Sequence, residues 1–211
     1  GPRAAYLDGT AWTEISPTRF QTLITGGQNN QFVLTTALDS VIATNDVDTP
    51  FQWAGAASSP WGGVTFTGLT DALQTAKVVA FFKNYLIFGN TKEAGTQYPT
   101  RVRWSNVGTI NTYTNADYNN VDANSGEELN CVGELHGDLY LGFTRSVYRM
   151  SYVGGSQTFT FSKVLEGIGC VAKNSVQQVN LLNQELGLTF LDRSRRVYFF
   201  NGVVAKDLTQ L

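Results

Sequence analysis

A single histidine, two cysteines and a charged fraction of only 15% leave this 211-residue chain with little of the equipment that metal, redox or acid–base chemistry draws on. With one imidazole, at His136, neither a histidine-based metal site nor a Ser-His-Asp triad with redundancy can be assembled, and a histidine between Leu135 and Gly137 reads as a solvated turn residue. Cys131 and Cys170 are too few for a disulfide framework, and their spacing matches no zinc or redox motif. Both read as small core residues, with a disulfide between them as the minor alternative.

Charge of one sign is also missing. Seventeen acidic against fifteen basic residues give a formal net charge of −2, which lacks the electrostatic footprint of a dedicated nucleic-acid binder. No stretch approaches the roughly 18 uninterrupted apolar residues of a membrane span, and no signal-peptide pattern opens the chain, so a soluble protein is expected. The chain begins without Met; Gly1-Pro2 reads as a cleavage scar or a fragment edge, and the fold is sought in residues 3–211 as one domain.

No long stretch shows apolar recurrence at helical spacing. What the chain has instead is 21 glycines, 12% aromatics and frequent Thr and Val, a composition that suits an all-β domain. The organising stretch is Leu129–Met150. Three apolar runs separated by His136-Gly137-Asp138 and Thr144-Arg145-Ser146 read as a three-stranded meander. Comparable hairpins are expected elsewhere: Phe32–Leu38 turning at Asp39-Ser40, Val78–Phe82 turning at Lys83-Asn84, and Val179–Leu182 turning near Asn183-Gln184.

Taking Asp39, Asn84, Gly137 and Gln184 as equivalent gives spacings of 45, 53 and 47 residues. Several strands per period at that length is the signature of a β-propeller, or a propeller segment, with about four blade-length repeats. A lone four-stranded blade cannot bury both faces, whereas stacked blades bury one another. Two further hairpins are expected at the ends: Ala5–Gly9 with Ala11–Ile15, and Val197–Gly202 with Val203–Leu208, their turn glycines 193 residues apart. Both read as outer hairpins, which argues for a segment of a longer protein or for an unusual ring closure. Asp46–Gly68 and Arg101–Glu128 read as long loops or irregular strands, and Thr70–Lys77 either caps a short helix or leads into the strand at Val78.

Four stretches are taken together: Arg101-Val102-Arg103-Trp104-Ser105-Asn106-Val107-Gly108; Val132–Leu141 with Ser146–Arg149; Glu166-Gly167-Ile168-Gly169-Cys170-Val171 continuing to Val176; and Arg196–Gly202. In combination and order they resemble the β-propeller tail proteins of short-tailed bacteriophages, called packaged-DNA stabilisation, tail tubular or nozzle proteins. The resemblance covers about Val78 to Leu208. It implies a structural virion protein in a ring of its own copies, contacting adjacent tail proteins and transiently the viral DNA it retains or passes. Members of that family expected to act alone in a tail are longer, and no added domain for an upstream adaptor is evident.

Catalysis finds no support, and no catalytic, cofactor-binding or metal-ligating residue is assigned. The carboxylate pairs Glu127/Glu128 and Glu134/Asp138 are the nearest approach to a glycosidase pair, but adjacent loop carboxylates ordinarily face water. Asp117–Gly126 is oxygen-rich like a calcium loop, yet Gly126 and Gly133 stand in the wrong places for an EF-hand. Arg193, Arg195 and Arg196, with Arg145, Arg149, Lys163 and Lys173, are candidates to face a DNA channel, against the simpler reading of solvated turns. Trp53, Trp61 and Trp104 lie in or beside loops, and make a non-enzymatic glycan- or receptor-binding propeller the alternative function; packing between blades is the simpler role for each.

Overall fold

The computed structural model describes residues 5–8, 11–14, 24–55, 61–181 and 185–209, the first two stretches by backbone pairing. Every regular element among the described residues is a strand. A two-stranded hairpin, β1 (Ala5–Asp8) and β2 (Ala11–Glu14), is followed by four four-stranded antiparallel sheets, the blades of a β-propeller. The first blade is β3 (Val33–Ala37), β4 (Ser40–Thr44), β5 (Phe51–Trp53) and β6 (Gly62–Gly63); the second is β7 (Leu73–Phe82), β8 (Tyr85–Glu93), β9 (Thr96–Trp104) and β10 (Tyr118–Asn120). The third comprises β11 (Leu129–Leu135), β12 (Asp138–Phe143), β13 (Ser146–Tyr152) and β14 (Phe159–Glu166). The fourth comprises β15 (Gln177–Asn180), β16 (Leu186–Leu191), β17 (Val197–Phe200) and β18 (Ala205–Asp207). Within each sheet the strands lie side by side in chain order.

The repeat seen in the sequence has a topological meaning. Its anchor turns join the first and second strands of the blades: Ala37 pairs with Ser40, Phe82 with Tyr85 and Leu135 with Asp138. Lys83 and Asn84 (φ 50° and 65°) and His136 and Gly137 (φ 52° and 82°) have positive φ at both central positions. Such turns match the right-handed twist of the flanking strands. In the first blade the turn residues are Leu38-Asp39, one position earlier than expected, with Leu38 at φ 51° and Ser40 opening β4. The fourth anchor, Asn183-Gln184, lies outside the described residues, between paired Asn180 and Leu186. Gly9 of the first hairpin lies outside them too.

Three expectations are corrected. Thr70–Lys77 does not start a helix, because β7 already begins at Leu73; its alternating Leu73, Thr75 and Ala76 are buried while Gln74 is exposed. Val203 and Val204 are not strand residues. Asn201 Oδ1 accepts from both of their amides (3.1 and 2.8 Å), folding them into an exposed loop before a short β18. Arg101–Trp104, expected as part of a long loop or irregular strand, closes the paired strand β9, with Trp104 opposite Ile87 and 7% exposed.

Contacts divide the chain into two compact units, residues 1–98 with 102–119, and residues 99–101 with 120–211. In the first unit, Ala37 and Ile42 of the first blade pack with Leu73, Val79 and Phe88 of the second. The Ala76 carbonyl accepts from both the Thr44 hydroxyl and the Asp46 amide. Burying each such Leu, Ile or Phe side chain contributes about 1.5–3 kcal/mol. The central strands are near-continuously apolar for this reason: β8 and β12 are buried on both faces, whereas the outer β14 is half exposed.

Candidate functional site

Within the second unit, the connector from β14 to β15 is threaded between two blades. The Cys170 amide donates to the Phe143 carbonyl at the end of β12 (2.7 Å), and the Val171 amide to the Leu191 carbonyl at the end of β16 (3.1 Å). Asn130 on β11 donates to the Cys170 carbonyl (2.9 Å). Gly169 makes this passage possible. A Cβ there would lie 2.2 Å from the Phe143 carbonyl oxygen and 2.5 Å from the Arg145 nitrogen, both backbone atoms. Its amide donates to Asp192 Oδ1 (3.1 Å).

Asp192 begins the turn between β16 and β17. Its other carboxylate oxygen accepts from the Ser194 amide (2.9 Å) and hydroxyl (2.5 Å), while Arg195, at φ 63°, donates its amide to the Asp192 carbonyl. Burial alone would raise the Asp192 pKa; the Ser194 bonds, then the Gly169 and Arg193 amides, more than offset it and hold the carboxyl below its ordinary value. An ionised, fully bonded Asp192 therefore serves the turn and leaves its arginines to face outward.

Beside this seam lies an open depression of about 390 Å³, lined by Arg145, Gly167, Asp192, Arg193, Ser194 and Tyr198. Arg145 sits in the β12–β13 turn, its Nε 3.6 Å from the buried Glu127 carboxylate and one terminal nitrogen donating to the Ser125 carbonyl (3.3 Å). Glu127 is fixed in turn by the Ser146 hydroxyl (2.6 Å). Thus Arg145 is held while Arg193, on an exposed turn, faces the same space. The Ser194 hydroxyl is spent on Asp192, so the two guanidinium groups are what can meet a phosphate, sulfate or carboxylate oxyanion there by charge-assisted hydrogen bonds, beside the ionised Asp192 carboxylate.

Three of the other basic candidates are engaged within the chain. Arg196 pairs with Asp207 (3.1 Å), Arg149 approaches Asp138 (3.9 Å) and Lys163 pairs with Glu166 (3.1 Å). The members of the two carboxylate pairs sit in different surroundings. Glu127 is buried on Ser146 whereas Glu128 is exposed; Glu134 is exposed on β11 and Asp138 faces Arg149. Residues 118–120 of the oxygen-rich stretch become β10, and the Asp122 carbonyl accepts the Tyr148 hydroxyl (2.6 Å). His136 is an exposed turn residue.

In the first unit, Trp53 and Trp61 stack, their ring centroids 6.3 Å apart and planes 27° apart, both half-buried beside the exposed Gly62 and Gly63. Sequence reasoning missed a buried ion pair there. Arg103 on β9 meets Glu93 on β8 through two bonds, Nε to Oε1 (3.0 Å) and Nη2 to Oε2 (2.8 Å), and its guanidinium lies over the Tyr118 ring at 5.0 Å. Burial runs continuously through most of β8 and the end of β9 instead of alternating, so no pattern in the sequence signalled the pair. Ser105, in the Trp-Ser-Asn-x-Gly stretch, exchanges bonds with Leu86: its Oγ accepts the Leu86 amide (2.9 Å) and its amide donates to the Leu86 carbonyl (2.9 Å). In comparison with known proteins, no family model matches this chain and no curated protein matches it in sequence.

Proposed function

We propose that this chain is a structural, non-enzymatic component of a bacteriophage tail, located in the virion, which assembles in a ring of its own copies with adjacent tail proteins and helps retain or pass DNA. The observation that carries this reading is the use made of the residues that resemble the tail nozzle family. Arg103 and Ser105 tie the second blade together, and Gly169, Cys170 and Val171 are bonded to both blades of the second unit. Residues spent in this way make a stiff scaffold, which is what a load-bearing tail part needs. The depression between Arg145 and Arg193 offers a contact for a carboxylate of a neighbouring subunit or a passing phosphate, while a net charge of −2 keeps the protein from gripping DNA along its surface.

The test is immunogold labelling of intact particles from the source with an antibody against this chain. Label confined to the distal tail is expected; soluble antigen with unlabelled particles would refute the assignment. One specific observation favours a second reading, a glycan-binding propeller: the half-buried Trp53–Trp61 stack. Saturable sugar binding lost in both Trp53→Ala and Trp61→Ala would support it over the tail role.

A further inference from the structure

Two thiols 39 positions apart in the chain meet in one small cavity of the second unit. Cys131 lies on β11 and Cys170 in the connector to β15; they are 3% and 1% exposed, and both are thiols rather than members of a disulfide. Together with Tyr140, Val147, Leu188 and Phe190 they line a void of about 10 Å³. Gly142, on the strand next to Cys131, is what lets them approach. The position a Cβ would take on Gly142 is 2.3 Å from the Cys131 sulfur and 2.8 Å from the Cys170 Cβ, so those two atoms are no farther apart than the sum of these distances.

We propose that Cys131 and Cys170 are a modification site, a reversible disulfide that latches the β14–β15 connector onto the third blade. The two side chains line the same void, and the Cys131 sulfur lies near the Cys170 Cβ across Gly142. Hydrogen bonding with Cys131, working against burial and helped by Ser175 and Ala172, holds the Cys170 pKa below its ordinary value and so favours its thiolate. The void beside the two side chains leaves room for them to rotate toward a covalent S–S bond of about 2.05 Å. Local opening of the connector admits a small oxidant such as a peroxide.

The chemistry balances with one peroxide. The Cys170 thiolate attacks a peroxide oxygen, the O–O bond breaks, and hydroxide leaves to become water, giving a sulfenic acid. Cys131 then attacks that sulfur, the S–O bond breaks, and a second water departs with the thiol proton. Two thiols lose two electrons and peroxide gains them. A dithiol restores the reduced pair by exchange.

The test uses the full chain, reduced and then exposed to hydrogen peroxide under native conditions, with alkylation on unfolding and peptide mapping. A mass loss of about 2 Da, a linked peptide containing Cys131 and Cys170, and reversal by dithiothreitol are expected. The crosslink closes a long loop, so the oxidised chain should melt roughly 5–10 °C above the reduced one. In Cys131→Ser or Cys131→Ala, the mass loss should vanish and Cys170 should become trappable by dimedone. Recovery of two alkylated thiols from the peroxide-treated wild type, linkage only between separate chains, or a crosslink without a rise in Tm would each overturn the proposal.

Discussion

Replacing Arg103 with Met removes two charged donors from a buried carboxylate that keeps a bond from the neutral Thr91 hydroxyl (2.8 Å). The side chains of Arg103 and Glu93 are 4% and 1% exposed, and the bonds lost are those of 3.0 and 2.8 Å to the two Glu93 oxygens. The variant also strips the Thr114 and Asn115 carbonyls of a donor and the Tyr118 ring of its cation. Breaking a buried pair from one side costs about 3–5 kcal/mol, because the remaining charge is stranded away from water. At roughly 2–4 °C per kcal/mol for a chain of this size, Tm should fall by about 10 °C. Removing both charges, as in Glu93→Met with Arg103→Met, leaves no stranded ion. The double variant should be destabilised by only about 1–2 kcal/mol, mainly for the unpaired Thr91 hydroxyl and loop carbonyls. Urea unfolding of wild type, both single variants and the double variant closes the cycle. A double variant as unstable as the two single losses added together would refute the claim that the pair, rather than each side chain separately, holds β8 to β9.

Gly169→Ala places a methyl group on backbone atoms that cannot rotate away, and should cost about 3–4 kcal/mol from overpacking and the weakened Gly169 and Cys170 amide bonds. Gly62→Ala, where an added Cβ meets nothing within 4 Å, is the control and should shift thermal unfolding by no more than about 0.5 kcal/mol. Asp48 accepts bonds from Thr25, Gly26 and Asn45, which overcome its burial and lower its pKa. Its stabilising contribution is therefore fully present above about pH 4 and is lost as pH falls through the lowered folded value, so the stability gap between wild type and Asp48→Asn should close on acidification. A constant gap from pH 7 to pH 2 would show that the charge of Asp48 is irrelevant. Arg193→Ala, at an exposed turn, should leave Tm within about 1 °C while weakening binding of inorganic phosphate or sulfate to the depression, read by titration at low salt; equal binding by the variant would exclude the site.

The blade count was legible because the repeat is carried by turn chemistry, which is local. Asn84, His136 and Gly137 announce hairpins in the sequence because their residue types take positive φ more readily than most, whereas Lys83 adopts it without any such mark. The continuous apolar runs of β8 and β12 similarly announce strands buried on both faces. Element ends were less legible. Val203 and Val204 have strand propensity, but Asn201 captures both amides, and a side-chain cap of that kind is decided by three atoms rather than by a pattern. The pairing of Arg145 with Arg193 around one depression, and of Cys131 with Cys170 around Gly142, joins residues about 40 to 50 positions apart. Composition and spacing hold no record of such meetings; they follow from how one blade lies against the next. The Ile-Gly-Cys-Val stretch stood out in the sequence as a familiar string, and its physical content is a glycine that a neighbouring backbone leaves no room to replace.

Each blade is assembled from strands that follow one another in the chain, with no strand borrowed from elsewhere. The loops that must close to build a blade are accordingly short, and the entropy of closing them is small. A blade can thus gain its own hydrogen bonds before it has a neighbour, while the apolar faces wait for the next blade to be made. Within each unit, that order of synthesis lets the first finished sheet serve as a template for the second, and leaves its apolar face exposed to aggregation until the second emerges.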